Sequence, residues 1–174
     1  MEAVLQILKY TIPALIVLVT AVIIIKRFFD NEEQKRKLDL AFENEKMINP
    51  VRLQAYERLI LFLERISPES LVMRINKHGI KAKELQTQML AVIRAEYEHN
   101  LAQQVYVSPK SWEILKSAKA NLIKIINQVS AKIKPDAPSI ELSKALLESI
   151  MEMEKQPTTI AIEYLKKEVR ELFF

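Results

Sequence analysis

Glycine is almost absent from this chain, which has a single glycine, Gly79, among 174 residues. Sheet proteins and nucleotide-binding α/β folds need glycine for tight turns, bulges and close approach to phosphate, because it adopts backbone conformations that other residues avoid. Only seven residues are proline, while 49% are hydrophobic, which is ample for a core. We therefore predict an all-α fold built from long helices.

Cysteine is also absent, which excludes disulfides, cysteine nucleophiles, thiolate zinc sites and iron–sulfur clusters. The 26 basic and 22 acidic residues are interleaved, so the net charge of +4 is weak evidence for nucleic-acid binding, and we expect none. The chain has neither a glycine-rich phosphate loop nor an HExxH motif. Helix capping accounts for the serines at or near predicted helix starts, which are Ser67, Ser108, Ser111, Ser139 and Ser143. We expect no enzymatic activity, no cofactor and no small-molecule substrate.

The N-terminal region has the character of a membrane anchor. Residues 10–25 carry no charge, and the apolar stretch extends back to Leu5, giving roughly 20 residues, enough to cross a bilayer core of about 30 Å. A cleaved signal peptide is the alternative, but it would need a basic start and small residues at a cleavage site. Here Glu2 comes first and the bulky sequence IIIKRFF follows. We expect residues 1–27 to be a retained, single transmembrane helix.

The cations around this segment predict its orientation. Lys9 is the only cationic side chain before it, whereas five follow it: Lys26, Arg27, Lys35, Arg36 and Lys37. Because cation-rich flanks are retained in the cytoplasm, we predict that the N-terminus lies outside and the rest of the chain is cytoplasmic.

Proline and capping residues divide the remainder into a charged helical stalk, residues 28–49, and an antiparallel helical bundle, residues 50–174. Asn49-Pro50 should end the stalk helix, and Ser67-Pro68 and Ser108-Pro109 read as N-caps followed by a first-turn proline. Gly79 is expected as a left-handed C-cap. The predicted helices cover residues 51–66, 68–77, 82–106, 109–134, 139–155 and 157 to the C-terminus.

Glu96 and His99 form a Glu-x-x-His pair, a motif that supplies ligands to di-iron centres in four-helix bundles. Such a centre needs two of these pairs, but this chain has only one other histidine. On a helical wheel, the apolar stripe through Leu90, Ile93, Tyr97 and Leu101 lies about 160° from His99. We therefore predict a surface histidine and no metal site.

Asn100 and Gln104 fall near that apolar stripe. Buried amides commonly form structural hydrogen bonds between packed helices, and this is the preferred interpretation. A small-ligand or metal site around Glu96, Asn100 and Gln104 is the alternative.

The helix predicted over 109–134 has a basic face opposite its apolar stripe. Anionic lipid headgroups would attract such a face. The preferred interpretation is that acidic residues of the next helix compensate these lysines on the solvated outside of a bundle. The candidate lipid-facing residues are Lys116, Lys119, Lys124 and Lys134.

The sequence YERLILFLERI, residues 56–66, carries a Glu-Arg doublet twice, seven residues apart. This spacing places Glu57 above Glu64 and Arg58 above Arg65, opposite an apolar stripe, and we call these pairs the Glu rail and the Arg rail. Leu61 falls between the rails and Phe62 just beyond the Arg rail. The helix is therefore either buried on two sides or presents a second surface to a partner.

The chain ends in Phe173 and Phe174, after further apolar residues at helical spacing. We expect this apolar end to dock on the helix of residues 51–66, either in its own bundle or in another subunit. The candidate interaction residues are thus Glu57, Arg58, Leu61, Phe62, Glu64, Arg65, Phe173 and Phe174.

The strings AYERLILFLERI and EYEHNLAQQVYVS resemble an uncharacterised family of small single-pass membrane proteins from Bacteroidota, most strongly between Leu53 and Trp112. The resemblance implies a bacterial inner-membrane location and brings no known activity. Together these features predict a non-enzymatic, membrane-tethered scaffold or adaptor that binds a protein partner or copies of itself. The alternative is a small-ligand or metal-binding bundle.

Overall fold

The computed structural model describes the backbone of residues 2–173 and the side chains of residues 15–173. Over this range it contains six α-helices, a 3-10 helix at Leu101–Val105 and no strand, which confirms the all-α class. Two compact units are formed, residues 1–48 and residues 49–174, and the first helix contributes to both. The helices are α1 (Glu2–Arg65), α2 (Pro68–Ile75), α3 (Ala82–His99), α4 (Pro109–Ser130), α5 (Ser139–Met151) and α6 (Pro157–Phe173).

The first unit consists of α1 residues whose side chains, from Leu15 onward, are almost all exposed. Within the described part of the chain, no helical stretch has both the length and the apolar character that a membrane crossing requires. The transmembrane helix predicted over residues 1–27 is therefore not confirmed, and the side chains of residues 1–14 lie outside the described part.

The prediction that a helix ends at Asn49-Pro50 is wrong, because α1 includes both residues. Proline lacks a backbone N–H, but its φ near −65° is itself a helical value. A single proline therefore removes one backbone hydrogen bond without forcing the chain out of the helix.

Capping hydrogen bonds confirm the predicted starts of α2 and α4. The Ser67 hydroxyl accepts a hydrogen bond from Ser70 N at 3.4 Å, and the Ser108 hydroxyl accepts one from Ser111 N at 3.0 Å. In both helices the following proline occupies the first turn, where its missing N–H is not needed.

The predicted helix ends are less accurate. Gly79 has the expected left-handed backbone, with φ of +87°, but it lies in the turn after α2, whose C-cap is Asn76. The ends predicted at residues 106, 134 and 155 are too late, since α3, α4 and α5 end at His99, Ser130 and Met151.

The core of the second unit contains side chains from all six helices. On α3 its centre is formed by Leu85, Met89 and Ile93, which are fully buried, whereas Leu101 is 39% exposed. Of the predicted stripe, Ile93 is therefore confirmed as core, Leu90 and Tyr97 are partly buried against the core, and Leu101 lies outside it. A helical wheel applies only while the helix continues, and Leu101 already belongs to the 3-10 helix.

Candidate functional site

The rails lie on the exposed side of α1 within the second unit. The opposite side packs into the core through Tyr56, Leu59 and Leu63, which are fully buried. Leu61 is 55% exposed, whereas the adjacent Phe62 is 1% exposed. The structure therefore separates two residues that the sequence placed together on a candidate surface: Leu61 is a surface residue and Phe62 a core residue.

All four rail side chains are exposed. Together with Leu61 they form what we call the α1 outer face: Glu57, Arg58, Leu61, Glu64 and Arg65. The face combines one exposed aliphatic side chain with charges of both signs.

A shallow depression of about 200 Å³ adjoins the Arg rail. Inside it, the Arg65 Nε atom lies 3.1 Å from Glu96 Oε1, and Arg74 Nη1 lies 3.8 Å from the same oxygen. Arg74 also donates a hydrogen bond to the Arg65 carbonyl oxygen at 3.2 Å. Two arginines therefore compensate the charge of Glu96. The lining residues are Arg58, Leu61, Phe62, Arg65, Glu96, His99 and Asn100.

This depression is smaller than the roughly 300–1,000 Å³ that is usual for small-molecule sites. Its volume is that of a space for a single side chain. Arg58, which lines it from α1, takes part in no ion pair among the described residues.

The three residues of the alternative ligand site are only partly brought together. The Asn100 side-chain amide is buried and donates to the Glu96 carbonyl oxygen at 2.8 Å, while Gln104 is exposed on the 3-10 helix. His99 is exposed, as the helical wheel predicted. No group of three metal-ligating side chains is found in the described part of the chain.

An aromatic cluster explains why Phe62 is buried. Its ring lies 6.1 Å from that of Tyr97, which stacks on Trp112 with 5.7 Å between centroids. The Lys119 ammonium covers the Tyr97 ring at 3.3 Å from its centroid. Burial, with a contribution from the Lys116 charge, lowers the pKa of Lys119. The cluster attaches the end of α3 to α1 and α4.

The four lysines predicted to face lipid lie in different environments. Lys116 forms a 2.6 Å ion pair with Glu113, and this hydrogen bond raises the pKa of Lys116. Lys119 covers Tyr97, whereas Lys124 and Lys134 are exposed. Two of the four thus have partners inside the chain, and lipid contact stays a prediction.

The end of α6 docks on α1 of the same chain. The Phe173 ring meets Tyr56 edge to face, with 6.4 Å between centroids, and the Arg52 guanidinium lies 5.7 Å from the Phe173 centroid. The sequence left open whether this apolar end docks within its own bundle or on another subunit. In the structure Phe173 docks within its own chain, and it contacts Tyr56 rather than Phe62. Phe174 lies outside the described residues.

A polar network that the sequence did not indicate links α1, α4 and α6. The buried Tyr56 hydroxyl accepts a hydrogen bond from Ser108 N at 3.4 Å, and the Ser111 hydroxyl donates to Glu168. Burial raises the pKa of Tyr56; the Ser108 N–H opposes this change and Glu168 adds to it. The partners are separated by more than 50 residues, so no local pattern could have revealed them.

A second, larger depression of about 630 Å³ lies between the α2–α3 loop and the start of α5. It is lined by the basic residues Lys77, His78 and Lys81, among others, but Lys81 is already paired with Asp136 at 2.6 Å. Asn76, which also lines it, donates a hydrogen bond to the Ser143 hydroxyl and accepts one from the Ser139 hydroxyl. The side chains of Lys81, Asp136, Asn76 and Ser139 are thus already partnered within the chain.

The fold and the α1 outer face define an all-α protein with a helical bundle and a charged, partly apolar helix surface. The chain belongs to a family of unknown function (DUF7935), whose family model matches residues 2–172. This confirms the predicted membership of an uncharacterised family. No curated protein and no solved structure matches the chain.

Proposed function

We propose that this protein is a non-enzymatic, membrane-tethered helical adaptor that holds a protein partner at the cytoplasmic face of the bacterial inner membrane. The observation that carries the proposal is the α1 outer face, where Leu61 is 55% exposed between two rails of opposite charge. An aliphatic side chain flanked by charged edges is typical of a helix that packs against another helix.

Residues 1–27 are the proposed tether. The uncharged run from residue 10 to residue 25 supports this assignment, as do the cations that follow it. Thr20 is the only polar side chain between Leu15 and Ile25, and its hydroxyl donates to the Ile16 carbonyl oxygen at 2.8 Å. This hydroxyl would therefore need no water inside a bilayer.

A photocrosslinking amino acid placed at Leu61 in the full-length chain, in living cells, tests the adaptor function. We expect irradiation to produce a protein adduct at position 61 and none at Met151, which is 84% exposed and lies on α5, a different helix. Equal adducts at both positions, or none at position 61, would contradict the proposal.

A further inference from the structure

We propose that the α1 outer face binds a second copy of this chain, with the two α1 helices parallel and related by a two-fold axis. This inference names the partner of the proposed adaptor. It rests on the proposed function in one respect, because tethering in a common membrane supplies the local concentration that a small contact needs.

The rails lie on opposite flanks of Leu61. At about 100° per residue, Glu57 and Glu64 lie about 40° and 60° to one side of Leu61, and the Arg rail lies at the same angles on the other side. Each glutamate directly precedes an arginine in the sequence. Measured along the helix axis, each glutamate is therefore offset by only about 1.5 Å from the arginine that follows it.

This order of charges distinguishes between the two possible helix pairings. A two-fold axis parallel to α1 places the Glu rail of each copy against the Arg rail of the other, so that Glu57 meets Arg58 of the second copy at nearly the same height. Glu64 meets Arg65 of the second copy in the same way. An antiparallel pair instead opposes Arg58 to Arg65 of the second copy and Glu57 to Glu64, which is unfavourable. The charges therefore select the parallel pair.

The rail side chains are available for these contacts. Within the described part of the chain, Glu57, Arg58 and Glu64 take part in no ion pair. Arg65 is paired with Glu96 through Nε, but a guanidinium has five N–H donors and can bind a second carboxylate. The depression next to Arg58 and Arg65 provides space for the carboxylate of the second copy.

A parallel pair also suits two chains held in one membrane, because the N-terminal ends of the paired α1 segments point in the same direction. The contact contains one leucine from each copy and exposed ion pairs, and exposed ion pairs stabilise weakly in water. We therefore expect association at the membrane and little in dilute solution.

Cysteine crosslinking can test this pairing cleanly, since the chain has no cysteine of its own. The variants Leu61→Cys and Gln54→Cys place thiols on the same exposed side of α1, and Met151→Cys is the control. In a parallel pair both α1 positions face their own counterparts. In an antiparallel pair centred on Leu61, only position 61 does.

The full-length variants, in native membranes, are oxidised with copper–phenanthroline and separated on a non-reducing gel. We expect Leu61→Cys and Gln54→Cys to give a covalent dimer of twice the 20.2 kDa chain. For both α1 variants, the yield of covalent dimer should exceed that of Met151→Cys by at least about tenfold. A tenfold ratio corresponds to a preference of about 1.4 kcal/mol for contact at the outer face over contact at position 151.

Reversing the Glu rail should abolish the crosslink. The substitutions Glu57→Arg and Glu64→Arg are introduced together into the Leu61→Cys variant. Each copy then presents four arginines to four arginines of the other copy, so the dimer yield should fall to the level of Met151→Cys. Glu141→Arg with Glu152→Arg changes the net charge equally on exposed α5 and C-cap positions and should leave the yield unchanged. Circular dichroism of each variant checks that the bundle remains folded.

Self-pairing through the outer face would be overturned if Leu61→Cys crosslinks no better than Met151→Cys. The parallel direction would be overturned if Leu61→Cys crosslinks and Gln54→Cys does not. The pairing of the rails would be overturned if reversing the Glu rail leaves the dimer yield unchanged. A crosslink from position 61 to a different protein would overturn self-pairing and leave the adaptor function standing. Fractionation of the same cells tests the tether separately. The comparison between positions 61 and 151 is made in the membrane fraction, where equal crosslinking contradicts self-pairing. A chain found only in the soluble fraction contradicts the tether instead, and with it the pairing at the membrane.

Discussion

Replacing Phe62 by alanine should destabilise the bundle strongly, whereas replacing its neighbour Leu61 should hardly affect its stability. Phe62 is 1% exposed and packs against Tyr97, so its removal loses buried apolar surface and leaves a cavity. Substitutions of this kind in a core cost about 3–5 kcal/mol. Leu61 is more than half exposed, and its truncation should change the free energy of unfolding by no more than about 0.5 kcal/mol.

Thermal unfolding of the fragment 50–174, followed by circular dichroism, measures both effects. We expect the fragment to be soluble, strongly helical and cooperative, since the core lies in this unit. For a domain of this size, Phe62→Ala should lower Tm by about 10–20 °C, and Leu61→Ala by no more than about 2 °C. The assignment of Phe62 to the core and Leu61 to the surface is refuted if the two variants melt together, or if Leu61→Ala melts first.

Three further outcomes are expected from the same bundle. Phe173→Ala should lower the free energy of unfolding by about 1–2 kcal/mol in urea titrations, because the ring packs on Tyr56 and its loss removes an aromatic contact; an unchanged midpoint would show that the end of α6 is not docked. Tyr56→Phe should cost about 1 kcal/mol at pH 8 through the lost hydroxyl contacts. Because burial raises the folded pKa of Tyr56 above the ordinary value of 10.0, the stabilisation from the protonated phenol is complete below that pH and is lost as the pH rises through the folded pKa. The difference between the two proteins should therefore narrow as the pH rises above 10.0, and a constant difference would contradict this. Metal analysis of the purified fragment should find no stoichiometric metal, and a bound metal lost in Glu96→Gln would favour the alternative of a metal-binding bundle.

The sequence predicted the features that depend on neighbouring residues. Ser67-Pro68 and Ser108-Pro109 fix the starts of α2 and α4 through hydrogen bonds that span three residues, and these starts were correct. Helix ends were placed too late, because the α3 pattern continues past His99 while the backbone tightens into a 3-10 helix. Periodicity shows where a helix could continue, whereas the actual end depends on packing.

The candidate site could be predicted only in part for a similar reason. The heptad spacing correctly placed both rails on the exposed side of α1. The burial of Phe62 depends on Tyr97 and Trp112, and the pairing of Arg65 with Glu96 joins residues that are far apart in the chain. Such contacts arise from tertiary packing and have no local signature.

The membrane tether is tested most directly by fusing a reporter that is active only in the cytoplasm to each end of the full-length chain. A helix over residues 1–27 that leaves its cation-rich flank inside predicts activity for the fusion after Phe174 and none for the fusion before Met1, with both proteins in the membrane fraction. Activity of both fusions, with the protein in the soluble fraction, or activity of the Met1 fusion alone, would contradict a bundle held at the cytoplasmic face of the inner membrane.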